Sequence, residues 1–473
     1  MSKSCQKNPA IKARTRKTGR NTLINLATVV LYNGLMKIAI IGGGAAGMMA
    51  TATSERSEAA ITAALAAGSS PKKNPKVFLI EKNKSLGQKV LISGGGRCNV
   101  TTGFSDLRLI ADRYPRGGKF LLSSLHDFPP EAVIAWFETH GVPMKTEEDL
   151  RVFPKSDSGK DVLAAFEKIF QSPDVEVLLG HEVTRIEHSP EASLSISVAK
   201  RLNQQFQIHF KNQPPLTVDK LILTTGGQAH RHTGSTGDGY TFAESLGHTI
   251  TPLAPSLNSF ITQEKWPHAL AGVSLPLVTL KIKTQKKFEY SGPILFTHRG
   301  LTGPAIFALS SYIAFETYDP QHPLTLTVDL FPNWPHTKLE QELQREMKEN
   351  PKKLFRNTLA FHLPKSLALE LCSQFSIAPE KINIELSKKD FIKTLEKLKN
   401  LPFTLIGRAA GDEFVTAGGV ELSEVDPKTL ESKICPGLYF AGEILNIDGF
   451  TGGYNLQAAW CTGRRAGECA SID

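Results

Sequence analysis

The chain has 473 residues, enough for two or three domains, because a single hydrophobic core seldom serves more than about 250–300 residues. Its composition, 41% hydrophobic and 21% charged, excludes a disordered or fibrous protein. The formal net charge of +9 arises mainly in residues 1–35, which hold seven Lys or Arg and no acidic residue; the other 48 basic and 46 acidic residues nearly balance, so the charge gives no reason to expect a nucleic-acid partner.

Residues 1–35 are predicted to form a basic N-terminal extension. Its basic stretch is followed by the apolar run Leu23–Tyr32, as in a signal or transit peptide, but no small-x-small cleavage site comes next. Because Met36 directly precedes the first predicted strand, we favour a start codon placed too far upstream, with a targeting segment as the alternative. No apolar run approaches the roughly 20 residues of a membrane span, and the six scattered cysteines suit neither a disulfide framework nor a zinc site. We expect a cytoplasmic protein without a membrane partner or a metal.

The first motif with chemical meaning is a strand, a glycine turn and a helix. A short apolar run leads into Gly42-x-Gly44-x-x-Gly47, and a second such run ends at Glu81. In a βαβ unit of this kind, the first glycine permits the tight turn, the second lets the backbone approach a pyrophosphate, and the third allows close helix packing. Glu81 is placed to accept the ribose hydroxyls of an adenosine half. The pattern predicts dinucleotide binding, with Thr51–Lys76 forming a helix and an inserted loop.

A second glycine-rich motif lies at Gly87–Val100. Its three successive glycines, Gly94–Gly96, present backbone amides without side-chain obstruction, and Arg97 and Asn99 add donors beside them. This combination favours a flat anionic ligand lying against the chain, with a flexible surface loop as the alternative. Cys98 is interpreted as a small buried residue, and the sequence has no C-x-x-C pair, so the dithiol relay of disulfide-reducing enzymes is excluded.

A third glycine-rich motif lies at Gly437–Ala459. A predicted strand delivers Glu443, several glycines follow, and a helix is predicted to begin near Asn455. A helix N-terminus with free amides is suited to stabilise the negative charge of a reduced flavin. Asp448 either binds the ribityl hydroxyls of such a cofactor or caps a turn, and the sequence does not separate the two interpretations.

The composition changes twice between the second and third motifs. Residues 256–335 are rich in β-branched and aromatic residues with turn signals, which predicts an inserted β-rich domain. Residues 336–405 carry charged, helix-forming segments, which predicts an inserted helical subdomain. The cofactor domain is therefore expected to be discontinuous, with residues 36–255 as its first part and residues 406–473 as its second.

The motifs together resemble those of the bacterial aminoacetone-oxidase-like, or BaiN-like, flavoproteins, a group of FAD/NAD(P)-binding oxidoreductases that includes a bile-acid-type enone reductase. The resemblance rests on Ile38–Gly47, Leu91–Thr101, Gly234–Gly239, Leu295–Pro304, Thr416–Val420 and Gly442–Gln457. It implies an α/β fold: a glutathione-reductase-like FAD-binding Rossmann domain, discontinuous in sequence, with an inserted β-barrel-like domain and a helical subdomain. Asn446, where an acidic residue is expected, is a mild departure beside the cofactor motif.

The motifs and the resemblance give a set of predicted contacts to FAD, the expected cofactor. These residues are Gly42, Gly44, Ala45, Ala46, Gly47, Glu81, Lys82, Lys89, Gly94, Gly95, Gly96, Arg97, Cys98, Asn99, Val183, Thr225, Gly226, Gly227, Gly442, Glu443, Asp448, Gly452, Gly453, Tyr454, Asn455, Leu456 and Gln457. As the catalytic candidate, His298 in the segment Thr297–Pro304 is predicted to face the flavin and transfer a proton; a histidine that only fixes its own loop is the alternative. His230 and His232 are weaker candidates.

The expected function is that of an FAD-dependent oxidoreductase that transfers hydride between the flavin and a small carbonyl, enone or amine. No second G-x-G-x-x-G unit follows a strand, so the redox partner is either NAD(P)H docking transiently at the flavin or dioxygen. Two alternatives stay open. One is a flavin-dependent RNA-modifying enzyme, against which the near-neutral body argues, and the other is a non-catalytic FAD-binding regulator.

Overall fold

The computed structural model describes residues 35–54, 74–189, 205–409, 411 and 413–472. The N-terminal extension up to residue 34 and most of the insertion predicted within Thr51–Lys76 lie outside the described residues.

Within the described ranges, the strands are β1 (Lys37–Ile41), β2 (Lys76–Glu81), β3 (Thr101–Thr102), β4 (Met144–Thr146), β5 (Arg151–Pro154), β6 (Val175–Leu179), β7 (Val183–Ser189), β8 (Gln205–Phe210), β9 (Leu216–Val218), β10 (Lys220–Leu223), β11 (Ala254–Ser256), β12 (Phe260–Thr262), β13 (Ser274–Lys283), β14 (Lys287–Thr297), β15 (Gly300–Thr302), β16 (Leu324–Asp329), β17 (Leu401–Arg408), β18 (Val415–Ala417) and β19 (Leu438–Phe440). The α-helices are α1 (Ala45–Thr53), α2 (Gln88–Ile92), α3 (Leu107–Ala111), α4 (Gly118–Asp127), α5 (Pro130–Thr139), α6 (Gly159–Ile169), α7 (Asp238–Ser245), α8 (Pro304–Tyr312), α9 (His336–Glu349), α10 (Phe355–Leu359), α11 (Lys365–Gln374), α12 (Lys388–Lys399) and α13 (Tyr454–Ala470).

A five-stranded parallel sheet organises the cofactor half of the molecule. Its strand order is β19-β10-β1-β2-β6, so a strand from the end of the chain joins strands from the first half. Strand β1 is almost wholly apolar because both of its faces are covered, and Ile38, Ala39 and Ile40 are fully buried. The predicted α/β Rossmann-type fold is confirmed.

Helix α13 completes this half by packing across α1. The two helices approach so closely that a Cβ atom at Gly463 would lie 2.4 Å from the carbonyl oxygen of Ala46, and one at Gly467 would lie 2.3 Å from that of Ala50. The two glycines are four residues apart and therefore lie on one face of α13. Any side chain at either position would separate the helices, so the C-terminal segment is an integral part of the domain that the N-terminal βαβ unit begins.

The second half is a closed antiparallel barrel with the strand order β12-β15-β14-β13-β16-β17. Helices α9 to α12 are inserted between β16 and β17, and their buried side chains share one hydrophobic core with the barrel. Strands β11 and β18 pair as an antiparallel ribbon through which the chain leaves the Rossmann sheet and returns. The domain boundary predicted at residue 405 falls inside β17, because the barrel takes its closing strand from beyond the helices.

Three features that bear on function are absent from the described part of the chain. No helix there is long and apolar enough to cross a membrane. No group of three or more His, Cys, Asp or Glu side chains there is placed to hold a metal ion. The five described cysteines are all free thiols.

Candidate functional site

A cavity of about 800 Å³ opens at the carboxyl ends of the central parallel strands. Its walls come from the segments that follow β1, β2, β10 and β19, from the glycine loop after α2, and from the N-terminal end of α13. Ligands of open α/β sheets bind at this edge, where several loops converge. The volume is within the roughly 300–1,000 Å³ that is usual for small-molecule and cofactor sites.

The glycines of the first turn divide into two kinds. A Cβ atom at Gly42, where φ is +111°, would lie 2.6 Å from the Thr224 carbonyl oxygen, and one at Gly47 would lie 1.8 Å from the Gly42 carbonyl oxygen. At Gly44, a Cβ atom would meet no protein atom within 4 Å, and this residue lines the cavity. The fold therefore requires Gly42 and Gly47, whereas Gly44 leaves room for a ligand.

Glu81 shapes the turn as well as the cavity wall. The residue is 9% exposed, and its Oε2 atom accepts a hydrogen bond from the Gly43 amide at 2.7 Å. Its Oε1 atom accepts a second from the Asn83 amide at 2.8 Å. Beside it, Lys82 forms an ion pair with Asp238, with 2.6 Å between Nζ and Oδ2. The carboxylate is thus held at the end of β2, the position that contacts ribose hydroxyls in dinucleotide sites.

An ion pair links the second and third glycine-rich motifs. The Nζ atom of Lys89 lies 2.8 Å from Oε2 of Glu443, and Oε1 of Glu443 accepts a hydrogen bond from the Thr416 amide at 2.9 Å. A Cβ atom at Gly226 would lie 3.9 Å from the Glu443 carboxylate, so the glycine turn after β10 passes close to the pair. Both charged residues and Gly226 line the cavity.

The N-terminus of α13 forms another wall. Gly452 and Gly453 precede the helix with φ values of +118° and +91°, and a Cβ atom at Gly453 would lie 2.3 Å from the Thr101 carbonyl oxygen. The first amides of a helix have no intrahelical partner and carry the positive end of its dipole. The Asn455 side chain holds the loop that precedes the helix: its Oδ1 accepts from the Gly449 amide and its Nδ2 donates to the Gly449 carbonyl, each at 2.8 Å. Asn455 therefore fixes the loop beside the cavity, which it also lines.

Most of the predicted FAD contacts lie together on the wall of this cavity. Those that line it are Gly42, Gly44, Ala45, Ala46, Glu81, Lys82, Lys89, Gly94, Gly95, Asn99, Val183, Thr225, Gly226, Gly442, Glu443, Gly452, Gly453, Asn455 and Leu456. Those that do not are Gly47, Gly96, Arg97, Cys98, Gly227, Asp448, Tyr454 and Gln457. Gly47 and Gly227 are packing positions, since a Cβ atom at Gly227 would lie 2.4 Å from the Thr416 hydroxyl.

Arg97 and Cys98 of the second motif face the protein: Arg97 has partners there, and Cys98 is the small buried residue expected from the sequence. The Nε atom of Arg97 donates to Asp157 at 2.7 Å, another of its guanidinium nitrogens pairs with Glu147, and the guanidinium lies over the Phe153 ring at 3.8 Å. Cys98 has its side chain fully buried, and burial raises the pKa of its thiol to about 12. Arg97 therefore anchors the glycine loop, and Cys98 packs beneath it.

Asp448 and Gln457 of the third motif have their partners within the protein. Asp448 is fully buried and forms a bidentate ion pair with Arg116, and its Oδ2 accepts from the Ser256 hydroxyl at 2.7 Å. Burial raises the pKa of Asp448, and the Arg116 charge opposes the shift. Gln457 is also fully buried, with its Oε1 atom 2.6 Å from the Thr101 hydroxyl. Both side chains are buried and support residues of the cavity wall without lining it. Tyr454 is also buried, and its carbonyl oxygen accepts a hydrogen bond from the Tyr114 hydroxyl at 2.7 Å.

His298 does not reach the cavity. It lies exposed in the tight turn between β14 and β15, at the end of that hairpin away from the cavity-lining residues Pro293 and Pro304. Proton transfer by His298 at the flavin therefore stays a prediction, and this position is compatible with the alternative of a histidine that only fixes its own loop. His230, ranked lower on sequence grounds, lines the cavity three residues after the glycine turn of β10. The sequence could have indicated this position, because His230 follows the carboxyl end of a predicted central strand, where ligands of α/β sheets bind.

Part of the cavity lining is apolar and aromatic. This part includes Leu257, Pro293, Pro304, Phe307, Phe414, Ile447 and Phe450. The rings of Phe307 and Phe414 meet edge to face, with centroids 5.1 Å apart. Phe414 is 42% exposed. Aromatic walls of this kind suit a flat organic ring.

The family model described as "HI0933-like protein Rossmann domain" matches residues 36–469. The chain belongs to this family. Among curated relatives, the 3-dehydro-bile acid delta(4,6)-reductase of Clostridium scindens is 29% identical over 438 residues, which is 92% of this chain and 99% of the relative. The ribosomal RNA dihydrouridine synthase of Escherichia coli is 31% identical over 427 residues, 89% of this chain and 94% of the relative.

Solved structures give a weaker likeness to this HI0933-like chain. A 3-ketosteroid delta1-dehydrogenase from Sterolibacterium denitrificans aligns over 92% of the chain and 99% of its own length, with 13% identity and a TM-score of 0.45. The quinol fumarate reductase FrdA of E. coli aligns over 93% of the chain and 70% of its own length, with 16% identity and a TM-score of 0.44. Similarity at this level says nothing about substrate.

The cavity fits the cofactor predicted from the sequence. The open space at Gly44, the carboxylate at the end of β2 and the helix N-terminus behind Gly453 are the parts that a dinucleotide with a flavin ring requires. With the family assignment, they confirm FAD as the cofactor of an FAD-dependent oxidoreductase. When bound, FAD supplies hydride chemistry at its ring nitrogen N5.

Proposed function

We propose that this HI0933-like protein reduces a carbon–carbon double bond that is conjugated to a carbonyl group within a ring, with NAD(P)H as the electron donor. The observation that carries the proposal is the chemistry shared by its full-length relatives. The bile acid relative is named as a reductase of ring double bonds in a 3-dehydro compound, and the ribosomal RNA relatives as synthases of dihydrouridine. Each name describes the addition of two hydrogens to an unsaturated ring.

The cavity supports a ring substrate. Its lining offers the rings of Phe307, Phe414 and Phe450 as flat surfaces and also includes the cofactor loops. The substrate would lie between these rings and the flavin. The cavity-lining members of the predicted set are the proposed FAD contacts, with Glu81 toward the adenosine half and the α13 N-terminus toward the flavin, where helix amides stabilise negative charge.

The decisive experiment follows the bound flavin under anaerobic conditions. Purified protein is mixed first with NADH or NADPH, and bleaching of the flavin absorbance reports its reduction. The reduced protein is then mixed with 2-cyclohexen-1-one or, in a separate sample, with oxygenated buffer, and the oxidised protein is mixed anaerobically with aminoacetone or a simple amine. We expect reoxidation by the enone with formation of cyclohexanone. Oxidation of aminoacetone or the amine by the oxidised protein would contradict the proposed reaction direction, and reoxidation by dioxygen alone would make it an oxidase.

A second candidate is reduction of a uracil base in ribosomal RNA. It is favoured by two relatives with this name, at 31% and 29% identity over nearly their whole length. The tip of the β13–β14 hairpin adds the exposed residues Lys283, Lys286 and Lys287, which suit contact with phosphate groups. Incubation of the reduced protein with ribosomal RNA that lacks dihydrouridine, followed by nucleoside mass spectrometry, separates this candidate from a small-molecule reductase. Absence of turnover in both assays would favour a non-catalytic FAD-binding regulator.

A further inference from the structure

His230 lines the cavity beside an aromatic residue. It follows β10 and the glycine turn at Gly226. Its ring centroid is 5.8 Å from that of Phe414, and the charges of Lys89 and Glu443, which also line the cavity, act on its ionisation. The imidazole therefore borders the space in which a ring substrate would lie.

The backbone at His230 is held in an unusual conformation. Its φ and ψ angles are +54° and +53°, the left-handed region that non-glycine residues seldom adopt. Its carbonyl oxygen accepts two hydrogen bonds, from the Thr233 amide at 2.8 Å and from the Thr233 hydroxyl at 2.7 Å. Strained residues that the surrounding structure enforces are concentrated at functional sites.

The ring itself does not hold the loop. A histidine that fixes its own loop forms hydrogen bonds to that loop through one or both of its ring nitrogens. Within the described residues, no side-chain hydrogen bond or ion pair of His230 is present, and the aromatic rings next to its own are those of His232 and Phe414. Its hydrogen-bonding capacity is thus available to a ligand.

The electrostatic surroundings keep this imidazole neutral. Burial lowers the pKa of His230, the positive charge of Lys89 and the neighbouring His232 lower it further, and the carboxylates of Glu443 and Glu413 oppose the shift. A neutral imidazole retains one N–H donor. A neutral histidine acts in the same way in other enzymes, where its N–H polarises a substrate carbonyl.

We propose that His230 is a catalytic residue whose ring N–H donates a hydrogen bond to the carbonyl oxygen of the substrate while the conjugated double bond is reduced. This inference rests on the proposed function. A hydride from the reduced flavin brings two electrons and forms the C–H bond at the β-carbon, while the π electrons of the double bond move toward the carbonyl oxygen. A proton from water then forms the C–H bond at the α-carbon. His230 stabilises the oxygen as its negative charge grows and keeps its own proton.

The test compares three variants. His230→Phe keeps a ring beside Phe414 and removes the donor, whereas His230→Asn keeps a donor and tolerates the left-handed backbone. His232→Asn is the matched control, because His232 is an exposed neighbour outside the cavity wall. For each, we measure FAD per chain, flavin reduction by NAD(P)H, reoxidation by 2-cyclohexen-1-one, and the Kd of cyclohexanone from its perturbation of the flavin spectrum.

We expect His230→Phe to retain FAD and its reduction by NAD(P)H but to slow reoxidation by about 10²–10³-fold, as for removal of one oxyanion donor. The Kd of cyclohexanone should rise by about 2- to 10-fold, the value of one neutral hydrogen bond. His230→Asn should recover part of both losses, and His232→Asn should match the wild type.

Three results would overturn the role of His230. One is wild-type reoxidation and wild-type cyclohexanone affinity in His230→Phe. Another is loss of FAD in His230→Phe that His230→Asn restores, which would make the residue structural. The third is equal damage in His232→Asn. If the wild type neither binds cyclohexanone nor reduces the enone, the proposed function itself fails, and the inference fails with it.

Discussion

The Nζ atom of Lys89 lies 2.8 Å from the Oε2 atom of Glu443, although 354 positions separate the two residues in the chain. The pair joins the second glycine-rich motif, in the first part of the cofactor domain, to the third, in the last part. Side-chain exposures of 28% and 18% leave both groups accessible from the cavity. The cofactor site is therefore closed by an electrostatic contact between the two ends of a discontinuous domain.

Breaking this pair should weaken FAD binding without unfolding the protein. Lys89→Met leaves the Glu443 carboxylate without its cation, and Glu443→Gln removes the charge but keeps the acceptor for the Thr416 amide. We expect Lys89→Met to raise the Kd of FAD at least about tenfold, since a hydrogen bond to a charged group contributes about 1.5–3 kcal/mol. The double variant should lose less than the sum of the single changes, because the residues are in contact. Strict additivity of the two changes in a fluorescence titration of FAD would show that Lys89 and Glu443 do not act on the cofactor as a pair.

Gly44→Val should abolish FAD binding while the apo-protein stays folded. Its Cβ meets no protein atom within 4 Å, and its φ of −81° is ordinary, so the added methyl groups intrude only on the ligand space. Flavin absorbance after reconstitution measures the loss, and circular dichroism measures the fold.

Two matched changes separate a ligand clash from a packing clash. Gly407→Val, in strand β17, should keep FAD because the nearest atom to its Cβ is 3.9 Å away and the residue lies outside the cavity. Gly47→Val should give little folded protein, since its Cβ would lie 1.8 Å from a backbone oxygen. Stoichiometric FAD in Gly44→Val would show that the pyrophosphate lies elsewhere.

Arg116→Met should destabilise the protein strongly and in a pH-dependent way. It leaves Asp448, which is fully buried, without its partner, at a cost of about 3–5 kcal/mol. Burial already raises the pKa of Asp448, so this carboxyl takes up a proton as the pH falls, and the loss of unfolding free energy in Arg116→Met then becomes smaller. The loss is fully present once the pH is above the folded-state pKa of Asp448. Chemical unfolding at pH 5 and pH 8 checks this, with Arg116→Met/Asp448→Asn as the control that restores stability. If the loss of unfolding free energy were the same at both pH values, it would come from lost packing around Arg116 and not from the unpaired Asp448 carboxylate.

Stability should also fall as the pH is lowered through about 6.5, and His248 is the main reason. Its Nδ1 atom lies 3.1 Å from Glu424, and its Nε2 atom lies 2.7 Å from the Ser432 hydroxyl. Both lone pairs of that hydroxyl already accept hydrogen bonds, from the Ile434 amide at 3.0 Å and the Cys435 amide at 2.7 Å. Ser432 must therefore donate to Nε2, which requires a neutral ring. Burial lowers the pKa of His248 below its unfolded value, so the unfolded chain binds the proton more tightly and acid favours unfolding.

The melting temperature measured between pH 8 and pH 5.5 tests the role of His248. It should decrease over this range, and His248→Gln should show a smaller decrease. His188 and His230, whose pKa values burial also lowers, contribute with the same sign. A flat profile in the wild type would contradict the neutral assignment.

His298→Ala should leave FAD content, flavin reduction and substrate turnover unchanged, because the side chain is exposed and lies outside the cavity. The same assays on His230→Phe provide the contrast. A loss of turnover confined to His298→Ala would show that the β14–β15 turn moves to the flavin during the reaction.

The sequence predicted the cofactor domain well because its glycine motifs act locally. Gly42 and Gly44 obey the geometry of one turn, so spacing alone indicates their roles. Arg97 and Asp448 have side chains suited to a ligand, but the fold pairs them with Glu147 and Arg116, which are 50 and 332 positions away. No local pattern reveals such partners, and a buried charge must be neutralised by whatever the fold brings near.

The barrel was harder to delimit for a related reason. Its closing strand, Leu401–Arg408, pairs with β16 and β12, from which the inserted helices and the earlier strands separate it in the chain. In the sequence, a helical stretch followed by a short apolar run indicates the end of one subdomain and the start of the next. Only the long-range pairing shows that Leu401–Arg408 belongs to the barrel.

The packing of α13 against α1 has a consequence for how the protein is made. A ribosome synthesises Ala46 417 positions before Gly463, so the growing chain contains β1, α1 and β2 long before α13 exists. Until α13 is made, the cavity lacks the wall that the N-terminal end of this helix forms, and α1 lacks the helix that packs across it. We therefore expect tight FAD binding only after α13 has been synthesised and has packed against α1.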